Sequence, residues 1–231
     1  MHQDLLSYTG EKTIIIPTYK ELAYNSIKDA ILYRRLKVGE VYSQDGICAE
    51  LGITRTPVRE ALLELQKEGY INFFRGRGIE IVPVTHKQAK GIVEMRFIIE
   101  LVGSELAAQR RTEQHLENLK ANIDAMKQNA NKTESTSMYK LDRQFHVHLF
   151  EAADNEYMLK SIENLRDQFL RLETQDAFNN TQKSLQVLEE HKQIYDAVKA
   201  GDSVLARQAM QRHLDLTYAR TVKPVIDSLK A

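Results

Sequence analysis

The run Ile53-Thr54-Arg55-Thr56-Pro57-Val58-Arg59-Glu60-Ala61-Leu62 constrains this chain more than any other stretch. Thr54 is placed to cap a helix, its hydroxyl accepting a bond from an orphan backbone N–H. Pro57 then falls in the first turn, where a missing N–H costs little. A shorter helix is expected after Ser43, stopping at Gly52 as helices with a C-terminal glycine do. Two short helices joined by so tight a turn form a helix-turn-helix. Arg55 and Arg59, four residues apart, project from one face at the amino end of the second helix. That end of a recognition helix meets base edges in the major groove, where arginine is shaped for guanine. Thr54, Arg55, Thr56 and Arg59 are therefore candidates for contact with double-stranded DNA.

The flanking residues extend the motif. A first helix is expected from Tyr19 to Leu36, with Leu22, Ile27, Ala30 and Ile31 at helical spacing and Lys37-Val38-Gly39 ending it. After Gly69 the apolar period changes. Ile71-Asn72-Phe73-Phe74 and Ile79-Glu80-Ile81-Val82 flank Arg75-Gly76-Arg77-Gly78, a β-hairpin with a glycine-bearing turn. Arg75, Gly76 and Arg77 at its tip would reach a phosphate backbone or the minor groove. The whole is a winged helix-turn-helix over about residues 18–84, preceded by a loose arm, residues 1–17, that ends at Pro17.

From His86 onward the pattern is helical, with stretches at roughly 86–110, 113–129, 137–153, 155–175, 183–200 and 202–228. Each carries an apolar stripe, so residues 85–231 are expected to form an all-α antiparallel bundle. The fold class is mainly α: a winged helix-turn-helix followed by that bundle. No apolar run approaches the ~20 residues of a membrane helix, and the amino end does not read as a secretory signal. The single Cys48 rules out an internal disulfide and suits a reducing cytoplasm. Lysine plus arginine and aspartate plus glutamate both number 32, so a general polyanion binder is disfavoured. The local cluster of Arg34, Arg35, Lys37, Arg55, Arg59, Lys67, Arg75 and Arg77 nevertheless suffices for a sequence-specific reader.

The bundle carries its own polar set. Asp142 and His146 are one helical turn apart, beside the stripe of Leu141, Phe145 and Leu149. His191 lies in the arc of Val187, Leu188, Ile194, Tyr195 and Val198. His213 lies amid Leu205, Ala206, Ala209, Met210 and Leu216. One inward histidine is usually a packed core residue. Three of them with a carboxylate, drawn from three helices, suit a divalent transition metal with one or two positions open. His148 also leans inward, but no acidic partner is read one turn away, which leaves it to packing or a polar rim. Arg96 shares the arc of Ile92, Met95, Ile99 and Leu106, where a guanidinium needs an anion. That anion is either a glutamate or Asp142 of the chain, or the carboxylate of a small bound molecule. Arg171 is a second candidate for the latter role.

This order of parts resembles the GntR family of bacterial transcription regulators, in the FadR-like branch with an FCD ligand-binding domain. The resemblance rests on Ala49 through Leu62, Glu68-Gly69 and the Arg75-Gly76-Arg77-Gly78 wing. It rests equally on Asp142-Arg143-Gln144-Phe145-His146, Glu190-His191, Gly201-Asp202 and Arg212-His213-Leu214. It covers nearly everything from residue 19 to residue 220, and six C-terminal helices place the chain nearer the VanR-like subgroup. It implies a homodimer reading an inverted-repeat operator. It also implies a metal such as zinc, nickel or manganese at Asp142, His146, His191 and His213, and an organic or sugar acid as effector, held by Arg96 and more weakly Arg171. One position departs from the pattern: some relatives have an operator-contacting arginine early in the second helix, where this chain has Asp45. That contact should be absent, and Asp45 is placed to position a neighbouring arginine instead.

A metabolite-responsive regulator is thus the expected function, and the chain is not expected to be an enzyme. A metalloenzyme acting on a small organic acid would use the open metal position, yet no separate acid or base is apparent, and the helix-turn-helix would serve nothing. An architectural DNA-binding dimer with a structural metal is the other alternative.

Overall fold

The computed structural model describes residues 17–74, 76–131, 135–172 and 178–229. The arm expected before Pro17, and Arg75 in the wing, lie outside the described residues. The chain divides between Pro83 and Val84 into two compact units.

The first unit opens with α1 (Tyr19–Leu32), begun by a capping box in which Thr18 accepts from the Glu21 N–H and the Glu21 carboxylate accepts in return. The helix ends four residues before the expected Leu36, because the chain turns through Arg34 in the left-handed region, φ 55°. Ala23, Ile27, Ile31 and Leu32 are its buried face, whereas Leu22 is exposed. Helix α2 (Gln44–Leu51) starts on a Ser43 cap and stops at Gly52, φ 64°. Helix α3 (Arg55–Lys67) buries Val58, Ala61, Leu62 and Leu65. Its Thr54 cap has the expected extended backbone, but the hydroxyl makes no capping hydrogen bond, so the cap expected of that side chain is not formed.

The wing is a hairpin of β2 (Ile71–Phe74) and β3 (Gly78–Ile81), with Ile71 opposite Ile81 and Phe74 opposite Gly78. A strand the sequence did not announce, β1 (Val41–Tyr42), pairs with the other edge of β3, giving the order β1-β3-β2. Two residues are too few to display a period of two. Gly78 is required here: at φ 118°, a Cβ would lie 2.1 Å from the Tyr42 carbonyl oxygen.

The second unit holds α4 (His86–Arg110), α5 (Glu113–Asn129), α6 (Ser135–Ala152), α7 (Glu156–Leu170), α8 (Thr181–Ala200) and α9 (Ser203–Thr217). Thr85, Thr112, Asn155, Asn180 and Asp202 cap five of these helices with their side chains. Phe145, Leu149, Ile194, Val198 and Met210 are among the residues that close the core between them. Helix α7 ends at Leu170, short of the expected 175. The helix expected over 202–228 is broken: a π turn, Tyr218–Val222, separates α9 from α10 (Lys223–Ser228). Pro224 explains the break, since it has no N–H to donate and its ring crowds the carbonyl four residues earlier.

Candidate metal centre and nucleic-acid interface

Asp142 and His146 of α6, His191 of α8 and His213 of α9 converge in the bundle core. Each offers a ligand atom, and these atoms all lie within 4.8 Å of one another. All four side chains are buried. The three Nε2 atoms of the histidines are buried and accept or donate no hydrogen bond. An unsatisfied buried polar atom costs about 1–3 kcal/mol, so three in one cluster call for a shared partner. A divalent cation is the partner that three imidazole nitrogens and a carboxylate fit.

What the chain does at the far side of each ring supports this. Glu100 Oε2 lies 2.6 Å from His146 Nδ1, and Glu190 Oε2 lies 2.9 Å from His213 Nδ1. A carboxylate at Nδ1, hydrogen-bonded at His213 and in ionic contact at His146, favours the tautomer whose Nε2 lone pair faces the cluster. Each carboxylate is itself braced: Arg96 Nε reaches Glu100 Oε1 at 2.5 Å, and Arg220 reaches both oxygens of Glu190 at 2.5 and 3.0 Å. His191 is held differently, stacked on Phe145 with centroids 4.2 Å apart and Nδ1 3.4 Å from Met126 Sδ. Asp142 receives a hydrogen bond from Arg166.

Electrostatics follow from these contacts. Burial alone would raise the Glu100 and Asp142 carboxyls, yet Arg96 and Arg166 hold them well below the usual carboxylate range. Burial pushes His146 down to about 4, against the pull of Glu100, and also holds His191 well below its ordinary value. At neutral pH these two imidazoles are uncharged, which is the form that binds a metal.

The sequence-level candidates fare unequally. Arg96 finds its anion inside the chain, in Glu100, and its guanidinium sits 3.8 Å from the Phe169 ring centroid. Arg171, half-buried at the end of α7, hydrogen-bonds Gln168. His148 does have an acidic partner, Glu151 Oε2 at 2.7 Å, which corrects the expectation that it had none. The bracing roles of Glu100, Arg166, Glu190 and Arg220 were not anticipated, although Glu190 stands in the Glu190-His191 pair that carries the resemblance. A signal existed for the first three, because each falls on a buried stripe: Glu100 beside Ile99, Arg166 between Ile162 and Phe169, Glu190 between Val187 and Ile194. Arg220 sits in the π turn, where no helical periodicity holds.

In the first unit, Thr54, Arg55, Thr56 and Arg59 are exposed while the opposite face of α3 is core. Arg55, Arg59, Gly76 and Arg77 line one shallow groove together with Gln44, Asp45 and Phe73. The Arg59 guanidinium lies 5.8 Å over the Phe73 ring, and Arg55 pairs with Asp45 at 2.9 Å.

Residues 19–81 match the family described as bacterial regulatory proteins, gntR family, and residues 91–216 match the FCD domain, more than half of the chain. The chain belongs to the GntR family. Among relatives of this GntR protein, the HTH-type transcriptional regulator LutR of Bacillus subtilis is 30% identical over 201 residues, covering 78% of this chain and 90% of that one. The HTH-type transcriptional repressor RspR of Escherichia coli K12 is 25% identical over 191 residues, 83% of each chain. The solved structure of E. coli McbR/YncC superposes with a TM-score of 0.76 at 20% identity, covering 88% of this chain and 97% of its own, a likeness of fold. The GntR protein is thus a transcriptional regulator with a DNA-binding helix-turn-helix and an effector-binding FCD domain, not an enzyme. Among its described residues, no helix is long and apolar enough to cross a membrane.

Proposed function

We propose that this regulator binds an inverted-repeat operator as a homodimer in the cytoplasm, and that a small carboxylate metabolite bound at a metal centre controls its grip. The observation that carries the proposal is the set of three orphaned, buried Nε2 atoms closing on Asp142. In this scheme residues 18–84 read DNA, and residues 85–231 hold metal, effector and the partner protomer. Arg55, Thr56 and Arg59, with Thr54, meet the major groove, and Arg75, Gly76 and Arg77 reach the backbone or minor groove. Asp142, His146, His191 and His213 hold the ion, which would supply an electrophilic centre for the effector's carboxylate.

Charge balance favours an anionic effector. Glu100, Asp142 and Glu190 are each already matched by Arg96, Arg166 and Arg220. A divalent cation therefore adds buried positive charge that the chain does not offset, and an anion does so. Arg96 acts through Glu100 on His146, so Arg171 is the sequence-level arginine assigned to the effector itself. The test is a gel shift of a promoter fragment titrated with small organic and sugar acids, before and after chelation. One acid is expected to change operator affinity by about 5–150-fold, only in metal-loaded protein. Operator binding indifferent to every acid with metal present contradicts the proposal.

A further inference from the structure

Asp45 stands in the first turn of α2, and both its oxygens take one nitrogen of Arg55: Nη2 lies 2.9 Å from Oδ1 and 3.0 Å from Oδ2. Gln44 Nε2 donates to the Arg55 carbonyl at 3.4 Å, joining the starts of the two helices a second time. The side chains of Arg55 and Asp45 are 70% and 73% exposed. A pair so open to water contributes about 0–1 kcal/mol to a fold, so stability does not account for it. Its position does raise a question, because Asp45 is the one carboxylate among the described residues lining the groove that also holds Arg55, Arg59 and Arg77.

A carboxylate on that face weakens every contact with phosphate, wherever on DNA the protein lands. The same carboxylate takes one hydrogen of Nη2, so a two-nitrogen fork of Arg55 that uses the other Nη2 hydrogen stays outside the pair. A guanidinium held at one nitrogen loses less rotamer freedom when its remaining fork binds. We propose, resting on the assignment of α3 to base reading, that Asp45 is a specificity-determining residue for DNA. It aims the Arg55 fork at a base edge and penalises landing sites that offer only phosphates. The pair presents donors from Arg55, matched to guanine O6 and N7, beside an acceptor matched to the amino group of cytosine. Asp45 thereby lowers general affinity and raises the ratio of specific to unspecific binding.

The test uses the full-length protein with Asp45→Ala and Asp45→Asn, and fluorescence anisotropy on two probes. One is a duplex enriched from a randomised pool by the wild-type protein, the other an unselected duplex of equal length. Asp45→Ala is expected to tighten the unselected duplex about threefold, with a steeper salt dependence. The enriched duplex is expected to gain nothing or weaken, so that the ratio falls about tenfold. Asp45→Asn, which keeps an acceptor, is expected to lie between. A fresh enrichment with Asp45→Ala should lose preference at one base pair of each half-site. Ratios within about twofold of wild type in both variants, or a parallel loss of both affinities with a fall in Tm, would overturn the proposal. If the wild-type protein enriches no sequence at all, the base-reading assignment falls and this proposal with it.

Discussion

Single side chains decide both proposed sites. At the reading face, Arg55→Ala and Arg59→Ala are each expected to cost about 1–3 kcal/mol of operator affinity without lowering Tm, because both side chains are exposed while Val58 and Leu62 carry the packing. Unchanged gel shifts in both variants would remove the helix from the interface. In the bundle, Glu190→Gln keeps the shape but lets the amide present either donor or acceptor to His213 Nδ1, 2.9 Å from the carboxylate. Metal affinity measured by calorimetry is expected to fall about 10–100-fold. Chelator-stripped protein should also lose stability on mild acidification. The folded His146 refuses a proton until about pH 4, whereas the unfolded imidazole takes one near 6.5. The unfolded state thus binds more protons between those values, and Tm falls as pH drops through that window. A Tm flat from pH 7 to pH 5 would contradict the burial that lowers this group.

At the level of elements, glycine and proline set the boundaries. Gly78→Ala is expected to destabilise the first unit by about 1–3 kcal/mol and to loosen the wing, read as a lower Tm and weaker operator binding. Tyr42 O is too close for any Cβ at that φ. An unaltered Tm would show that β1 yields readily. Much of this was legible. Gly52, Gly69 and Gly201 mark where helices stop, and the period change after Gly69 announces the hairpin. Asp142 and His146 share a face because of their spacing, and apolar arcs turn His191 and His213 inward. Other features had no local signature. Strand β1 exists only through pairing with β3, and the π turn depends on Pro224 at a site that still reads as helix. The counter-ion of Arg96 was left open between a glutamate, Asp142 and a bound carboxylate, and only three-dimensional packing chose Glu100.

For the whole molecule, the exposed side of α4 from Met95 to Val102 matters most. Met95, Ile98 and Val102 stand on it, with Ile98 63% exposed, while the only charged residues in that span, Arg96 and Glu100, are buried. An apolar stripe left exposed marks an interaction site, and the proposed reading of an inverted repeat needs a second copy of the chain. Ile98→Glu is therefore expected to shift the protein toward monomer in sedimentation and to weaken an inverted repeat more than a single half-site. A dimer unaffected by the glutamate would place the interface elsewhere.

The central claim is that Asp142, His146, His191 and His213 form one metal centre. The most direct measurement is calorimetric titration of chelator-stripped protein with zinc, nickel and manganese, repeated on His191→Ala. At least one of these ions is expected to bind with a stoichiometry near one per protomer, and the His191→Ala variant is expected to lose that binding or most of its affinity. Absence of binding by all of them, or an isotherm that His191→Ala leaves unchanged, would contradict it.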